Sequence, residues 1–443
     1  MNRQELLEII AEAVDTQAEI LDLHGRGLTS LPPEIGQLTH LTSLVLYDNG
    51  LTSLPSEIGR LIHLTELDLD NNALSSLPPE IGCLTSLLSL DLSNNPFLSL
   101  PLEITHLTNL AELFLRNNSL TTLPPEVLQL PGLKELFLSN NNLVSLPPEI
   151  VRLTNLTGLS MGGNGLTSLP LELLQLTRLT TLNLSCNDLT ALPPAIDRLS
   201  MLEILDLENN DLTGLPPEIV RLTELRELDL SRNSLVDIPP EIFQLTNLTG
   251  LYLRDNALTC LPAEIGQLRH LTTLYIDYNH LTSLPLEIDC LHHLHHLTLR
   301  SNALTTLPSA IGQLMQLWTL HLGSNALTTL PAEFAQCIHL ATLDLADNRF
   351  NTFPTEIFSL THMKILDLDH NDLTTIPPEI VQLDNLVTLD LDNNRLRSLP
   401  NEIKLLPHLT TLSLENNPLA EEVKNAFQKD AGVRFMVRHP GYG

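Results

Sequence analysis

Residues 64–84, LTELDLDNNALSSLPPEIGCL, contain the pattern that determines the fold. Leu67 and Leu69 alternate with polar residues, which is the period-two pattern of a short strand with one buried face. Asn72 then turns the chain, and a buried asparagine can bond backbone groups through both its carbonyl and its amide. Because proline and glutamate are favoured early in helices, the sequence predicts a helical turn that begins at Pro79.

This pattern recurs every 23 residues without an insertion or deletion. Proline stands at 17 consecutive equivalent positions, from Pro32 to Pro400. A fixed period of this length is typical of a solenoid, in which each unit buries its apolar side chains only against its neighbours. The sequence therefore predicts one elongated domain. The recurring asparagines, called the ladder asparagines below, are Asn49, Asn72, Asn95, Asn118, Asn141, Asn164, Asn187, Asn210, Asn233, Asn256, Asn279, Asn302, Asn325, Asn348, Asn371, Asn394 and Asn417.

The motif LxxLxLxxNxLxxLPxxIxxL resembles the 23-residue class of leucine-rich repeats over residues 18–419. About 18 units result when the first unit, which has Arg26 in place of the asparagine, and the truncated last unit are included. The resemblance implies an α/β fold: a curved solenoid with a parallel β-sheet on the concave face and short helical or extended turns on the convex face.

The two ends of the repeat array need covering, because an open terminal strand and an exposed core invite aggregation. We expect residues 1–17 to form an N-terminal capping helix, with an apolar stripe of Leu6, Leu7, Ile10 and Val14. Residues 420–443 are expected to form a C-terminal cap and tail, with a helix and a possible strand at residues 433–437. The basic residues of this segment suit a solvated cap face or an acidic partner: Lys424, Lys429, Arg434 and Arg438.

The composition argues against several classes of partner and compartment. A formal net charge of -30 is unsuited to binding nucleic acid, which needs clustered Lys and Arg. Much of this acidity comes from a glutamate eight residues after the ladder position in 15 units. No apolar run reaches membrane-spanning length, so we expect no membrane insertion. The five cysteines are scattered, which favours a reducing, cytoplasmic location.

The sequence contains no motif for phosphate cradling, zinc-dependent hydrolysis or nucleophilic catalysis. Roco-type proteins and bacterial repeat-fused ubiquitin ligases, whose repeat portions are similar, have their activity on a separate domain. Here only about 25 residues follow the last repeat. We therefore expect no enzymatic activity and no cofactor.

A histidine-rich stretch is the one candidate for metal chemistry. His296, His321 and Asp344 are predicted to face outward on successive strands, where they could converge on an ion. The alternative interpretation is that polar residues simply occupy a solvated face, and we expect no metal site. The neighbouring histidines of this stretch are His292, His293 and His295.

Outward-facing strand residues form the variable surface of such a solenoid, and they fall into three zones. The first zone is acidic and then aromatic, and the last is again acidic, between Asp344 and Asp392. The middle zone is rich in Tyr, Arg and His, the first two of which are common at interface hot spots. Strand propensity of aromatic residues is the competing explanation. The candidate partner-binding residues are Tyr252, Arg254, Tyr275, Tyr278, His296, Arg300, Trp318, His321, Phe114 and Phe137.

Together these features predict a non-enzymatic interaction scaffold that recognises a protein partner on its concave face. The resemblance extends to intracellular scaffolds of the Ras-pathway type and to plant and bacterial repeat arrays, which suggests signalling or complex assembly. The alternative hypothesis is a regulatory subunit or effector that modulates a partner enzyme, such as a small GTPase, a phosphatase or a ubiquitin ligase.

Overall fold

A computed structural model describes residues 1–420 and 423 of the chain. The chain divides into two compact units, Met1–Leu225 and Arg226–Gly443. Each unit repeats the same path: a strand of three residues, a turn at the ladder asparagine, and a short 3-10 helix (η) after the proline. The helical turn predicted at Pro79 is confirmed and is a 3-10 helix, Pro79–Cys83.

The first unit begins with the helix α1, Arg3–Asp15. Its strands are β1 Ile20–Asp22, β2 Ser43–Val45, β3 Glu66–Asp68, β4 Ser89–Asp91, β5 Glu112–Phe114, β6 Glu135–Phe137, β7 Gly158–Ser160, β8 Thr181–Asn183 and β9 Ile204–Asp206. Its 3-10 helices are η1 Pro33–Gln37, η2 Ser56–Arg60, η3 Pro79–Cys83, η4 Leu102–His106, η5 Val127–Gln129, η6 Pro148–Arg152, η7 Leu173–Gln175, η8 Pro194–Arg198 and η9 Pro217–Arg221.

The second unit continues the same alternation. Its strands are β10 Glu227–Asp229, β11 Gly250–Tyr252, β12 Thr273–Tyr275, β13 His296–Thr298, β14 Thr319–His321, β15 Thr342–Asp344, β16 Ile365–Asp367, β17 Thr388–Asp390 and β18 Thr411–Ser413. Its 3-10 helices are η10 Pro240–Gln244, η11 Ala263–Gln267, η12 Leu286–Cys290, η13 Ser309–Gln313, η14 Ala332–Gln336, η15 Thr355–Ser359, η16 Pro378–Gln382 and η17 Asn401–Leu405.

Within each unit, every strand pairs in parallel with the next strand along the chain, and the register advances by one repeat. Leu67 therefore lies beside Leu90, and Leu251 beside Leu274. Because each strand repeats the same pattern, leucines stack on leucines and form rows with almost no exposure. The sheet and the 3-10 helices enclose this apolar core, as the alternation of Leu with polar residues predicts.

Within each unit, the ladder asparagines connect each repeat to the one before it. Asn279, which is 3% exposed, accepts a hydrogen bond from the Leu258 N–H at 3.0 Å. Its amide donates to the carbonyls of Leu253, Ile276 and Asp277 at 2.9, 3.2 and 3.1 Å. The strands are too short to pair these turn groups, so the side chain supplies the bonds that buried backbone groups need.

The direction of these bonds explains the departure in the first repeat. Each ladder asparagine bonds backward, and Asn49 accepts from the N–H groups of Arg26 and Leu28 and donates to the Leu23 carbonyl. Arg26 has no preceding repeat whose turn groups it must satisfy. An asparagine is therefore dispensable at this one position.

The residue before the ladder asparagine adopts a left-handed conformation, with φ near 50 to 57° at non-glycine positions from Asp48 to Asn416. This conformation is unfavourable for most residues and least so for Gly, Asn and Asp. Asn occupies the position in most repeats of the first unit, which is the sequence signal of this turn. Cys186 and Tyr278 adopt it nonetheless.

Within residues 1–17, where a capping helix was expected, the structure has α1, Arg3–Asp15. Asn2 accepts a hydrogen bond from the Glu5 N–H, and the Glu5 carboxylate accepts one from the Asn2 N–H, which is a capping box. Leu6 and Ile10 are buried, together with Ala13. The predicted C-terminal cap, with Lys424, Lys429, Arg434 and Arg438, lies outside the described residues apart from residues 420 and 423.

The ladder yields a stability prediction. We expect Asn279→Ala to lower the free energy of unfolding by about 3 kcal/mol or more, because each buried backbone group left without a partner costs about 1 to 3 kcal/mol. Urea denaturation followed by circular dichroism measures this loss.

The matched control is Asn401→Ala, an exposed asparagine at the start of η17, where we expect a change within about 0.5 kcal/mol. Equal losses for the two variants would show that the ladder bonds do not stabilise the array.

Candidate functional site

The outward surface of the sheet consists of the residues two, four and six positions before each ladder asparagine, called sheet-face residues below. Parallel in-register pairing places equivalent sheet-face residues of consecutive repeats side by side, about 4.8 Å apart. Tyr252 thus lies beside Tyr275, and Phe114 beside Phe137. Register therefore brings the candidate residues together within each of these two pairs.

Aspartates four positions before the ladder asparagine have a backbone role that the sequence did not indicate. Each accepts a hydrogen bond from the N–H two residues further on, where the three-residue strand has ended. Asp367 accepts from the Asp369 N–H at 3.0 Å, and Asp91 from the Ser93 N–H at 2.8 Å. The same bond is made by Asp22, Asp68, Asp206, Asp229, Asp344 and Asp390. Much of the acidity of the first and last zones is thus structural.

Two tyrosines form the aromatic part of the middle zone. The rings of Tyr252 and Tyr275 meet edge to face, with centroids 5.3 Å apart and planes at 73°. A side chain at Gly250 would come within 3.0 Å of the Tyr252 ring, so this glycine leaves room for the ring to lie along its own strand. Burial, and secondarily the Glu227 charge, raises the pKa of Tyr252, which therefore keeps its phenolic proton.

Asp277 holds the Arg254 side chain and bonds the backbone of Arg300. Its carboxylate accepts hydrogen bonds from the Thr298 hydroxyl at 2.7 Å and the Arg300 N–H at 2.8 Å, and its ion pair with Arg254 Nε is 2.8 Å long. The Arg254 guanidinium lies 4.2 Å from the centroid of the Tyr275 ring, within cation–π range. Asp277 is 3% exposed, whereas the Arg254 side chain is 44% exposed. The anion is buried below, and the cation faces solvent.

A second ion pair crosses a whole strand. Arg300 Nε donates to Asp344 Oδ2, although His321 and Gly323 of the intervening repeat lie between them. A Cβ atom at Gly323 would lie 2.8 Å from Asp344 Oδ2, so a larger residue would displace the carboxylate. Glycine at this sheet-face position therefore permits the pair. We define the tyrosine–arginine cluster as Tyr252, Arg254, Tyr275, Asp277, Arg300 and Asp344.

Asp277 and Gly323 were missed as functional residues in the sequence. The available signal was an aspartate flanked by arginines at the equivalent positions of the two adjacent repeats. Arginine, aspartate and arginine stand two residues before the ladder asparagine at Arg254, Asp277 and Arg300. Because the two carboxylates neutralise the two guanidiniums, the cluster has no net charge.

The histidines of the metal hypothesis do not converge. His321 pairs with Asp344, but His296 pairs with Thr319, so it lies two residues further back along the strand. Within residues 1–420 and 423, no group of three His, Cys, Asp or Glu side chains is placed to hold a metal ion. Burial, and secondarily the Arg300 charge, lowers the pKa of His321. It is therefore neutral at neutral pH and lies between the two arginine–aspartate pairs.

Tyr278 and Trp318 lie at opposite margins of the sheet face. Tyr278, 60% exposed, occupies the left-handed turn position after its strand. Trp318, 55% exposed, precedes β14 and lines a cavity of about 410 Å³ with residues that also precede their strands or lie nearby, including His295 and Lys364. Trp318 is therefore separate from the tyrosine–arginine cluster, with which the sequence had grouped it.

The first unit carries a smaller aromatic surface. The rings of Phe114 and Phe137 are stacked with centroids 4.5 Å apart and planes at 5°. Arg116 covers both rings, with its guanidinium 4.5 Å from the Phe137 centroid. Tyr47 stacks on His24 at 4.7 Å. Phe114, Phe137 and Tyr47 are half-buried, and His24 is exposed.

The sheet-face aspartates of β15–β17 and the turns after them form an acidic strip in which neighbouring carboxylates repel one another: Asp344, Asp367, Asp369, Asp390 and Asp392. Burial, followed by the nearby charges of Asp390 and Asp344, raises the pKa of Asp367 to about 7. Burial and the Asp390 charge raise the pKa of Asp392 to about 6. An Asp whose folded-state pKa is raised takes up a proton on folding, so its contribution to stability is present at low pH and lost as pH rises towards the folded-state value.

This strip yields a pH prediction. Asp367→Asn keeps the oxygen that accepts the Asp369 N–H and removes the charge. Above pH 7 we expect the free energy of unfolding of the variant to exceed that of the wild type by roughly 2 kcal/mol. A shift of one pKa unit corresponds to about 1.4 kcal/mol, and half-burial reduces the effect. The gain should shrink as pH falls from 7 towards 4 and disappear below about pH 3.8, where the wild-type carboxyl becomes protonated in the unfolded state as well.

Denaturation curves between pH 4 and 8 measure this dependence. The control is Asp229→Asn, which keeps the equivalent bond to the Ser231 N–H and lies at the same repeat position outside the strip. A gain for Asp367→Asn that does not change between pH 4 and 8 would contradict the electrostatic explanation.

Comparison with known proteins places this architecture in a family. The leucine rich repeat family model matches residues 39–97, 108–166, 154–212, 223–281, 338–396 and 361–419, more than half of the chain. Among curated proteins, no match was found. Proteins built from this repeat are typically non-enzymatic scaffolds for protein–protein interaction.

Solved structures with the same fold come from bacteria and plants. A leucine-rich-repeat protein of Leptospira interrogans is 37% identical, with 96% of this chain and 98% of that chain covered and a TM-score of 0.74. The plant peptide hormone receptor RGFR1, in complex with RGF2, is 30% identical over 92% of this chain and 76% of its own, with a TM-score of 0.65. PEPR1, in a structure with AtPEP1, is 28% identical over 88% and 57%, with a TM-score of 0.68. By its family match and its likeness to the Leptospira protein, this chain belongs to the leucine-rich repeat family.

Proposed function

We propose that this chain is a non-enzymatic scaffold that binds a protein partner through the sheet face of its second unit. The observation that carries the proposal is the tyrosine–arginine cluster, whose two arginine side chains are held by buried carboxylates before any partner is present. Tyrosine and arginine held in one conformation lose little side-chain entropy on binding. The neighbouring contact residues in this proposal are Tyr278, His296 and His321.

The cluster is favoured over the acidic strip as the main contact surface. Asp344, Asp367 and Asp390 of the strip accept hydrogen bonds from backbone N–H groups, and Asp344 and Asp390 are at most 5% exposed. In contrast, the guanidinium groups of Arg254 and Arg300 keep nearly half of their side-chain surface accessible. A partner can therefore reach the cations and rings and reaches the buried anions less easily.

The neutral charge of the cluster bears on the kind of partner. Asp277 and Asp344 compensate both arginines, so long-range attraction of a strongly acidic partner is weak. Hydrogen-bond donors and aromatic rings remain, which suit a polar surface with apolar anchors. In the same proposal, Phe114 and Phe137 offer a second contact on the first unit.

The test is affinity capture from a lysate of the source cells, with identification of the bound proteins. We expect Tyr252→Ala combined with Tyr275→Ala to reduce recovery of the main partner at least about tenfold, since hot-spot residues contribute 2 kcal/mol or more each. The circular dichroism spectrum should not change, because both rings lie outside the leucine core.

The matched control is Tyr47→Ala, a sheet-face tyrosine of the first unit that stacks on His24. We expect it to leave partner recovery intact. Undiminished recovery with the double variant, or equal loss with the control, would remove the cluster as the recognition surface.

The regulatory alternative is distinguished in the same experiment. If the captured partner is a GTPase, a phosphatase or a ligase, its catalytic rate is measured with wild-type chain and with the double variant. A rate that responds to the wild-type chain alone would support a regulatory subunit, and an unchanged rate would support a scaffold.

We also infer a reducing, cytoplasmic compartment. All five cysteines, which fall in the described part of the chain, are free, and Cys83, Cys186 and Cys260 are exposed. Exposed free thiols oxidise readily outside reducing compartments. Within residues 1–420 and 423, no helix has the length and apolar character needed to cross a membrane.

A further inference from the structure

The start of strands β13–β16 forms a groove that the proposed sheet-face site does not use. Seven residues before the ladder asparagine, consecutive repeats place His295, Trp318, Ala341 and Lys364 in a row. Backbone bonds connect the row: the Trp318 N–H donates to the His295 carbonyl, the Ala341 N–H to Trp318, and the Lys364 N–H to Ala341, each at 2.8 to 2.9 Å. The row is therefore rigidly spaced.

The groove exists because the residue between two large side chains is an alanine, Ala341. Ala341 is small and 5% exposed, and it separates the exposed side chains of Trp318 and Lys364, which stand two strand steps, about 9.6 Å, apart. His339 and His362 form one wall, with ring centroids 5.5 Å apart. The cavity that Trp318, Ala341, Lys364 and the histidine wall enclose has a volume of about 410 Å³. This volume is within the range of sites that hold a side chain or a small ligand.

The rim of the groove is apolar. Trp318, Met315 and Ile338 are 55, 49 and 48% exposed. Threonine is the commonest residue at the position of Met315 and Ile338, which lies ten residues before the ladder asparagine. Three large apolar side chains on adjacent turns form an exposed patch of the kind that marks interaction sites.

The ionisable groups of the groove are all basic in type. Three histidines and Lys364 line it, and its lining includes no carboxylate, in a chain whose net charge is -30. Within residues 1–420 and 423, no carboxylate forms an ion pair with Lys364. His362 Nδ1 donates to the Ile338 carbonyl at 2.9 Å, so in the neutral ring its Nε2 is available to an occupant as a hydrogen-bond acceptor. An exposed ammonium without an anion beside an apolar slot is complementary to a carboxylate next to an apolar side chain.

We propose that this edge groove binds a short acidic segment of a partner protein, in which one aromatic or leucine side chain is flanked by Asp or Glu. The apolar side chain enters the slot over Ala341 and contacts Trp318. The flanking carboxylate pairs with Lys364, and Nε2 of His362 accepts a hydrogen bond from a backbone N–H of the segment. The site is separate from the tyrosine–arginine cluster and goes beyond the sheet-face function.

Trp318 is the only tryptophan of the chain, so intrinsic fluorescence reports on the groove directly. The probe is an acetylated, amidated peptide in which one phenylalanine is flanked on each side by two glutamates. We expect a saturable blue shift of the tryptophan emission. A peptide with lysines in place of the glutamates, and one with glycine in place of the phenylalanine, should give none.

Protein variants locate the binding. Lys364→Glu should weaken the peptide at least about fivefold, since reversal of a rim charge replaces attraction by repulsion. Ala341→Phe should abolish binding by filling the slot. Tyr252→Ala should leave the titration unchanged, which separates this site from the sheet-face site.

The matched control is Lys134→Glu, which reverses an exposed lysine at the same repeat position of β6, outside the groove. Equal affinity of the Lys364→Glu and Lys134→Glu proteins, or equal binding of the lysine peptide, would overturn the proposal. A blue shift that grows with protein concentration without peptide would also overturn it, because a second copy of the chain would then occupy the groove.

Discussion

A single asparagine amide that bonds one N–H and three carbonyls joins each turn of the chain to the turn before it. A strand of three residues leaves most of the backbone of a 23-residue repeat outside the sheet ladder. Those groups lie near a leucine core that excludes water, where an unpaired polar group is costly. The ladder asparagine, the aspartate four residues before it and the left-handed residue between them solve this problem together. The outward side chains depend on this solution for their positions.

The fold was predictable because the same leucine, asparagine and proline positions recur in consecutive repeats. A leucine in one repeat could be an accident, but the same row of leucines, asparagines and prolines identifies strand, turn and helical start. The helix α1 was also predictable from its apolar spacing, but the buried face differs: Ala13 is buried, whereas Leu7 and Val14 are only half-buried. The 3-10 form of the outer turns was not predicted, because proline and glutamate favour a helical start without deciding the hydrogen-bond pattern.

The candidate site was predictable in part. Period-two alternation correctly assigned Tyr252 and Tyr275 to the outward side, and register then placed them together. Alternation ends with the strand, however, so it could not assign Trp318, which precedes β14 and faces the margin. Nor does it describe long side chains that cross a neighbouring strand, as Arg300 does to reach Asp344. The acidic zones were read as surface, whereas many of their carboxylates bond the backbone.

The backward direction of the ladder bonds makes the array unequal at its two sides. A copied repeat inserted within the array carries its own asparagine and finds the turn groups of its predecessor ready to be bonded. A repeat inserted ahead of β1 would instead lie before Arg26, which cannot supply the amide and carbonyl that the new turn requires. Lengthening of this protein by duplication is therefore favoured at positions after the first repeat. The first repeat itself is the one least suited to an internal position, because Arg26 cannot bond the turn of a repeat placed before it.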